Sequence, residues 1–300
     1  MSIAFQPMLS VSALALSGMT FPKYRHLLSL SDPRVAGVVA LQDGMPVALA
    51  LAAIQKDTAT LLSLYVSEDH RRQGTGAATL TALEAEVAGR GCGGIETVWM
   101  SAPIEVNAFA FVLQRLHWSS PQARMHVYRA TCDSLASVGW IRRFADLPFG
   151  HSIVPWQLVT PAQLTRLKQA IRFESWIPAD LDPFAFAGDG FDGAPSEPAL
   201  NLACIANDEV VGWNLAHRID AACVRVSCTY VRPALQAQLL MLAMWRDFFE
   251  RLSLTAYQQV SWAVSVEREA MIRFNEKFML PYTSASLTSW GSNKSLVLGA

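Results

Sequence analysis

The stretch L-Y-V-S-E-D-H-R-R-Q-G-T-G-A-A-T-L, residues 64–80, decides how this chain is read. A β-prone segment, T-A-T-L-L-S-L-Y-V (58–66), runs into it. A segment with Leu80, Leu83 and Val87 at helical spacing, L-T-A-L-E-A-E-V-A-G-R-G (80–91), leaves it. Strand, glycine turn and helix form an anion-binding geometry, because the first amides of a helix lack intrahelical partners and carry the positive end of its dipole. Glycines let a phosphate approach the backbone where a β-carbon would collide, and Arg71 and Arg72 add cationic donors at the rim.

Two nucleotide motifs fail on this stretch. A P-loop needs a Lys directly after its last glycine, and none follows Gly76; a dinucleotide fingerprint needs a third glycine, and none follows Gly76 at that spacing.

Working outward, G-V-V-A-L-Q-D-G-M-P-V-A-L-A-L-A-A-I (37–54) reads as two strands joined at Asp43-Gly44, a strong hairpin signal. Downstream, I-E-T-V-W-M (95–100) reads as a strand, V-N-A-F-A-F-V-L-Q-R-L (106–116) as a helix and H-V-Y-R-A (126–130) as a closing strand. Between about Ala130 and Trp156 periodicity gives way to breakers, so 131–156 is expected to be a linker. Thr160-Pro161-Ala162-Gln163 then supplies a capping box and a first-turn proline.

The second half repeats the first. A hairpin turns at Asn207-Asp208, V-R-V-S-C-T-Y-V (224–231) matches residues 58–66 with Tyr230 opposite Tyr65, and Q-Q-V-S-W-A-V (258–264) matches I-E-T-V-W-M with Trp262 opposite Trp99. The same order at nearly constant offset predicts a tandem duplication. The expected division is 1–130, a linker 131–156, and 157–300.

With the P-loop and dinucleotide motifs gone, Arg71-Arg72-Gln73-Gly74-Thr75-Gly76 resembles the acetyl-coenzyme A signature of the GCN5-related N-acetyltransferase (GNAT) family, Q/R-x-x-G-x-G/A. The resemblance implies an α+β fold of two tandem GNAT-like domains, each a mostly antiparallel central sheet flanked by helices, the second degenerate. It implies an acyl-coenzyme A dependent N-acyltransferase that transfers an acetyl or longer acyl group to an amine of a small molecule or peptide. A non-catalytic acyl-coenzyme A binding or scaffolding protein is the alternative.

The resemblance also implies the site. The pantetheine arm pairs with the backbone of Leu64, Tyr65 and Val66, and the pyrophosphate lies on the amides of Arg71, Arg72, Gln73, Gly74, Thr75, Gly76 and Ala77. Asn107 contacts the cofactor arm, and Val66 N–H meets the developing oxyanion. A carboxylate or hydroxyl must manage the amine proton. Glu68, Asp69, Glu96, Ser101 and Glu105 are candidates, with Ser101 and Glu105 favoured because they follow the strand tip. The tyrosine that commonly protonates the leaving thiolate has no counterpart, since Gln114 or Leu113 stands in its place. In the second copy, Y-V-R-P-A-L-Q-A-Q-L-L (230–240) reads as a shorter, glycine-free loop, so a single cofactor site is expected; the second half either shapes the acceptor pocket or supports the first.

Composition narrows the classes. A formal net charge of -1, with only 16% charged residues, gives no broad field for nucleic acid. Five cysteines without C-x-x-C spacing suggest neither a disulfide framework nor a zinc site, so no metal and a reducing cytoplasm are expected. No apolar run reaches the roughly 20 residues of a membrane span. Oligomeric state is not legible.

Overall fold

The computed structural model describes residues 3–102, 107–144, 147–188, 190–191 and 193–297. In the first half of the chain the strands are β1 (Ile3–Pro7), β2 (Val35–Gln42), β3 (Met45–Gln55), β4 (Thr58–Val66), β5 (Gly94–Ser101) and β6 (Gln122–Thr131). The helices are α1 (Ala13–Leu16), α2 (Thr75–Gly89) and α3 (Ala108–Arg115). The second half adds β7 (His151–Pro155), a short hairpin β8–β9 (Gly190–Phe191 and Ala194–Pro195), β10 (Leu202–Ala206), β11 (Glu209–Arg218), β12 (Cys223–Val231), β13 (Gln259–Ser265) and β14 (Ala285–Ser295). Its helices are α4 (Cys132–Ala136), α5 (Pro161–Phe173), α6 (Pro183–Phe186), α7 (Leu240–Leu252) and α8 (Glu269–Phe274).

Both predicted hairpins form, and for the same backbone reason. Asp43 and Gly44 have φ of 51° and 79°, and Asn207 and Asp208 have 49° and 62°. Two consecutive left-handed residues give the turn whose twist matches paired strands. The capping box at Thr160 and Gln163 is complete, with each side chain bonded to the other's backbone N–H.

The chain divides into two units, 1–124 with 287–300, and 125–286. In the first, β1, β2, β3 and β4 pair antiparallel in sequence, β4 pairs parallel with β5, and β5 pairs antiparallel with β14. In the second, β7, β10, β11 and β12 pair antiparallel, β12 pairs parallel with β13, and β13 pairs antiparallel with β6.

These units differ from the linear division at 130 and 156. The strand at 126–130 forms, but it closes the second unit, and the last strand of the chain closes the first. Alternation predicts a strand and says nothing about which open edge it will pair with. Within 131–156, where a linker was expected, α4, a 3-10 turn (Gly139–Phe144) and β7 form instead, and Leu135, Val138 and Ile141 are buried in the second unit's core. Breakers there punctuate short elements.

Each unit has the same core. In the first, Leu80, Leu83 and Val87 of α2 pack on Ala50, Ala52, Leu61 and Ile95, with Leu113 and Trp118 beside them. Glu84, also on that helix, is buried; its Oε1 accepts from Trp118 Nε1 (2.7 Å) and its Oε2 from Lys294 Nζ on β14 (2.5 Å), which ties the closing strand to the helix. In the second unit Trp245, Phe248 and Leu252 of α7 pack on Val224, Val260 and Trp262. No described helix is long and apolar enough to cross a membrane.

Candidate functional site: an open splay and a helix N-terminus

The parallel pair β4 and β5 is in register from Thr58 opposite Gly94 to Leu61 opposite Thr97, and there its pairing ends. The cause lies in β4. Against β3, Leu51 pairs with Ser63 but Ala52 pairs with Leu61, so Leu62 is an extra residue, a bulge that bends the strand and turns its remaining length from β5. Beyond the bulge, Ser67 N–H donates to Val47 C=O on β3 (2.9 Å). Because both backbone groups of a residue point the same way and alternate along an antiparallel strand, Tyr65 is committed to β3, while Leu64 and Val66 direct their amides into the splay. Of the three residues expected to pair with a pantetheine arm, Leu64 and Val66 direct their N–H groups into the splay and Tyr65 does not. The Tyr65 side chain packs instead among Leu49, Leu51, Leu62 and Tyr24.

After Val66 the chain makes a short 3-10 turn, Glu68–His70, and enters α2 through Gly74. Arg71 Nε donates to Val66 C=O (3.0 Å) and Gln73 Nε2 to Asp69 C=O (2.7 Å), so both side chains latch the loop. The His70 ring sits between Ser67 Oγ and Gln42 Oε1, 2.9 Å from each. Glu68 and Asp69 lie within the turn and cap nothing; the N-cap of α2 is Gly74, with no side-chain cap.

The two glycines do different things. Gly74 has φ of 83°, and a β-carbon there would meet nothing within 4 Å. It is required for backbone conformation, and the space above it is open. Gly76 has ordinary φ, but a β-carbon would come 3.2 Å from Val66 Cγ2, so it is required for the close approach of α2 to β4. The first intrahelical bond runs from Ala78 N–H to Gly74 C=O (3.0 Å), leaving the amides of Thr75, Gly76 and Ala77 ahead of it. Thr75 Oγ1 is buried there with no hydrogen-bond partner among the described residues. This cradle of open amides, empty volume and rim arginines fits a pyrophosphate.

The other expected residues are mixed. Asn107 is the N-cap of α3, its Oδ1 accepting from Phe109 N–H (2.9 Å) and Ala110 N–H (3.3 Å), so only its amide nitrogen is left for a ligand. Ser101 ends β5 with its Oγ buried and unpartnered among the described residues. Glu105 lies outside the described residues. Glu96 is exposed on the face away from α2 and accepts from Thr60 Oγ1 (3.3 Å). Leu113 is fully buried. The bulge at Leu62 and the latch role of Arg71 carried no sequence signal, since both depend on partners on other elements.

The second unit repeats this geometry with different contents. β12 and β13 pair from Cys223–Gln259 to Val226–Trp262, and Ser227 is the bulge residue. This register sets Trp262 against Thr97 rather than Trp99. The loop is also not shorter: Gln236 Nε2 donates to Val231 C=O (3.0 Å) as Arg71 does to Val66, and α7 starts at a left-handed N-cap, Leu239, with φ of 59°. Leu239, Leu240 and Met241 stand where Gly74, Thr75 and Gly76 do, and Leu240 is buried. On the opposite face Tyr230 stacks on Trp176 (ring centroids 6.2 Å, 10° between planes) and donates from its hydroxyl to Trp176 C=O (2.8 Å). Burial first, then the Asp180 charge, raises that phenol's pKa against the opposing pull of Arg268.

No group of three or more metal-ligating side chains gathers among the described residues. Residues 11–115 match the family model of the acetyltransferase (GNAT) family. No curated protein matches the chain in sequence. Among solved structures, the chain is similar to a tandem GNAT protein from the clavulanic acid biosynthesis pathway, at 14% identity and a TM-score of 0.63, with all of both chains covered. It is similar to a GCN5-related N-acetyltransferase from Sphaerobacter thermophilus, at 12% identity and 0.62, covering 99% of this chain and 97% of that one. It also matches a glucosamine N-acetyltransferase region of a fungal multi-domain β-N-acetylglucosaminidase, at 10% identity and 0.60, covering 98% of this chain and 38% of that one. The glycine loop lies inside the segment that matches the acetyltransferase (GNAT) family model, and over its whole length the chain has the fold of a tandem GNAT protein.

Proposed function

We propose that the N-terminal unit binds acyl-coenzyme A and transfers its acyl group to an amine, with the second unit retaining the fold but not the cofactor site. The observation that carries this reading is the bulge-opened splay, whose free Leu64 and Val66 amides lead into a left-handed glycine and the open first turn of α2.

When acyl-coenzyme A is bound, its thioester carbonyl is the electrophile for the amine. Val66 N–H, directed into the splay, is placed to donate to the carbonyl oxygen as charge builds on it. The amide edge at Leu64 and Val66 orients the arm as an added strand would be oriented, and the cradle at Thr75, Gly76 and Ala77 with Arg72 holds the phosphate end. An aliphatic amine, of pKa near about 10.4, must lose a proton as its nitrogen bonds to carbon and the carbon–sulfur bond breaks. Glu105, four residues after Ser101 in the chain, is assigned to receiving that proton, with the Ser101 hydroxyl relaying it. No hydroxyl stands at Leu113 or Gln114, so solvent protonates the departing thiolate, whose thiol pKa of about 8.5 makes it a tolerable leaving group.

That same missing hydroxyl favours a second reading, a non-catalytic acyl-coenzyme A binding protein. Native mass spectrometry of the purified protein tests cofactor binding and reads the acyl chain length, acetyl or longer. Thiol release across a panel of amines then separates the two. Binding without release for any amine sinks the transferase; no affinity for any acyl-coenzyme A sinks both.

A further inference from the structure

Side chains alternate along β5, so Ile95, Thr97 and Trp99 turn toward α2 and α3 while Glu96, Val98 and Met100 turn to the other face. On that face Val98 and Met100 are 46% and 54% exposed although they stand on a central strand, just past the rung where β4 and β5 part. Apolar side chains left open at the mouth of a splay are available to a substrate.

Directly opposite Val98, on β14, is Gly291. A β-carbon at Gly291 would point to the same face as Val98 and would lie 2.8 Å from Cδ, 3.5 Å from Cγ and 3.7 Å from Nε of Arg124. The missing side chain is therefore the slot in which the arginine's methylenes lie. Arg124 is exposed and forms no ion pair with any described residue. Two residues back on β5, on the same face, Glu96 has only its weak Thr60 bond. An acid and a cation thus flank Val98 without pairing with each other. Val98 and Ser101 are about 10 Å apart along β5, so a molecule anchored at Arg124 reaches the open end of the splay with a short carbon chain.

Resting on the transferase reading above, we propose that the acceptor is an amine that also carries a carboxylate: Arg124 receives the carboxylate, and Val98 and Met100 carry the carbon skeleton toward Ser101, where the amine meets the thioester. A single guanidinium matches a single carboxylate, and the Glu96 charge behind it opposes a doubly charged phosphate. The second unit has neither feature. Ser261 stands in the place of Glu96, and the pair Val98–Gly291 becomes Ala263–Val127, with a β-branched side chain where the glycine stands.

The test uses the full chain and matched acceptors, α-, β- and γ-amino carboxylates against the corresponding amino amides. Turnover should favour the carboxylates at least tenfold in kcat/KM for one chain length. Arg124→Gln should collapse that ratio toward one through KM rather than kcat, Arg124→Lys should keep part of it, and Gly291→Ala should reduce it by displacing the arginine. Equilibrium binding of acids and amides to the protein, with and without coenzyme A, reads the same ratio when turnover is absent. Amides that bind and react as well as acids, or a preference that survives Arg124→Gln, overturn the assignment while leaving coenzyme A binding intact. Loss of coenzyme A binding itself overturns the transferase reading instead.

Discussion

The loops that follow β4 and β12 are built on one backbone and hold different things. Both leave a bulged strand, both latch the last strand carbonyl with a side chain five residues on, and both enter their helix through a left-handed residue eight positions after Val66 or Val231. In the first, that residue is glycine with open space around it; in the second it is Leu239, and Leu240 and Met241 follow. Arg71 and Arg72 become Gln236 and Ala237. The fold supplies a helix N-terminus in both units, and side-chain volume and charge decide whether an anion can reach it. A leucine at φ of 59° is strained, and the second unit tolerates it because the loop is held on both sides.

The comparison can be broken most severely by moving the second loop's residues into the first. Gly74→Leu with Gly76→Met should cost coenzyme A at least about a hundredfold in affinity, near 2.7 kcal/mol, because the helix N-terminus is covered and Val66 is pushed away; titration calorimetry reads it, and binding within fivefold of the parent would refute the assignment. Next in size is the clamp on α2. Glu84 has Phe249 as its counterpart on α7, so among the described residues only the first unit closes through a buried acid. Glu84→Ala should destabilise that unit by about 2 kcal/mol in urea melts, since Trp118 N–H and the Lys294 ammonium lose their acceptor.

A pH series sharpens the contrast further. His217 is fully buried, with Nδ1 2.9 Å from Ser227 Oγ; burial above all, and the Arg225 charge, lower its pKa, against the Phe186 carbonyl, which raises it. The folded value lies below the unfolded one, so the unfolded chain takes up the proton first. The stabilisation from keeping this ring neutral is full above the unfolded imidazole pKa of about 6.5 and is lost as pH falls through the folded value. In the first unit Ala53 pairs with Thr60 as His217 pairs with Arg225. Urea midpoints between pH 8 and 5 should therefore fall for the second unit, and His217→Asn should flatten the slope; an unchanged slope would exclude His217 as its source. The smallest effect is Leu239→Gly, which should stabilise the second unit by about 1 kcal/mol by removing left-handed strain, read as a small rise in Tm.

Local signals that need only neighbours in the chain were legible: both hairpins, the Thr160 capping box, the glycine turn before α2 and the order of elements that betrays the duplication. Trp262 was matched to Trp99 because both are tryptophans on equivalent strands; pairing register, which depends on a partner strand, aligns Trp262 with Thr97 instead. The second loop reads as shorter because glycines were its only landmarks, whereas the latch from Gln236 to Val231 preserves its length.

What the amino-acid sequence determined by itself was therefore the pair of folds and the glycine turn that joins strand to helix in the first, because turn chemistry, helix starts and strand alternation are properties of short segments. Only the tertiary structure decided that the closing strands go to the opposite units, that Leu62 opens the splay, that Tyr65 is committed to β3 while Val66 is not, and that Gly291 makes room for Arg124. Each of these rests on which strand edge or side chain a residue meets across the fold, and a chain written in one dimension does not carry that information locally.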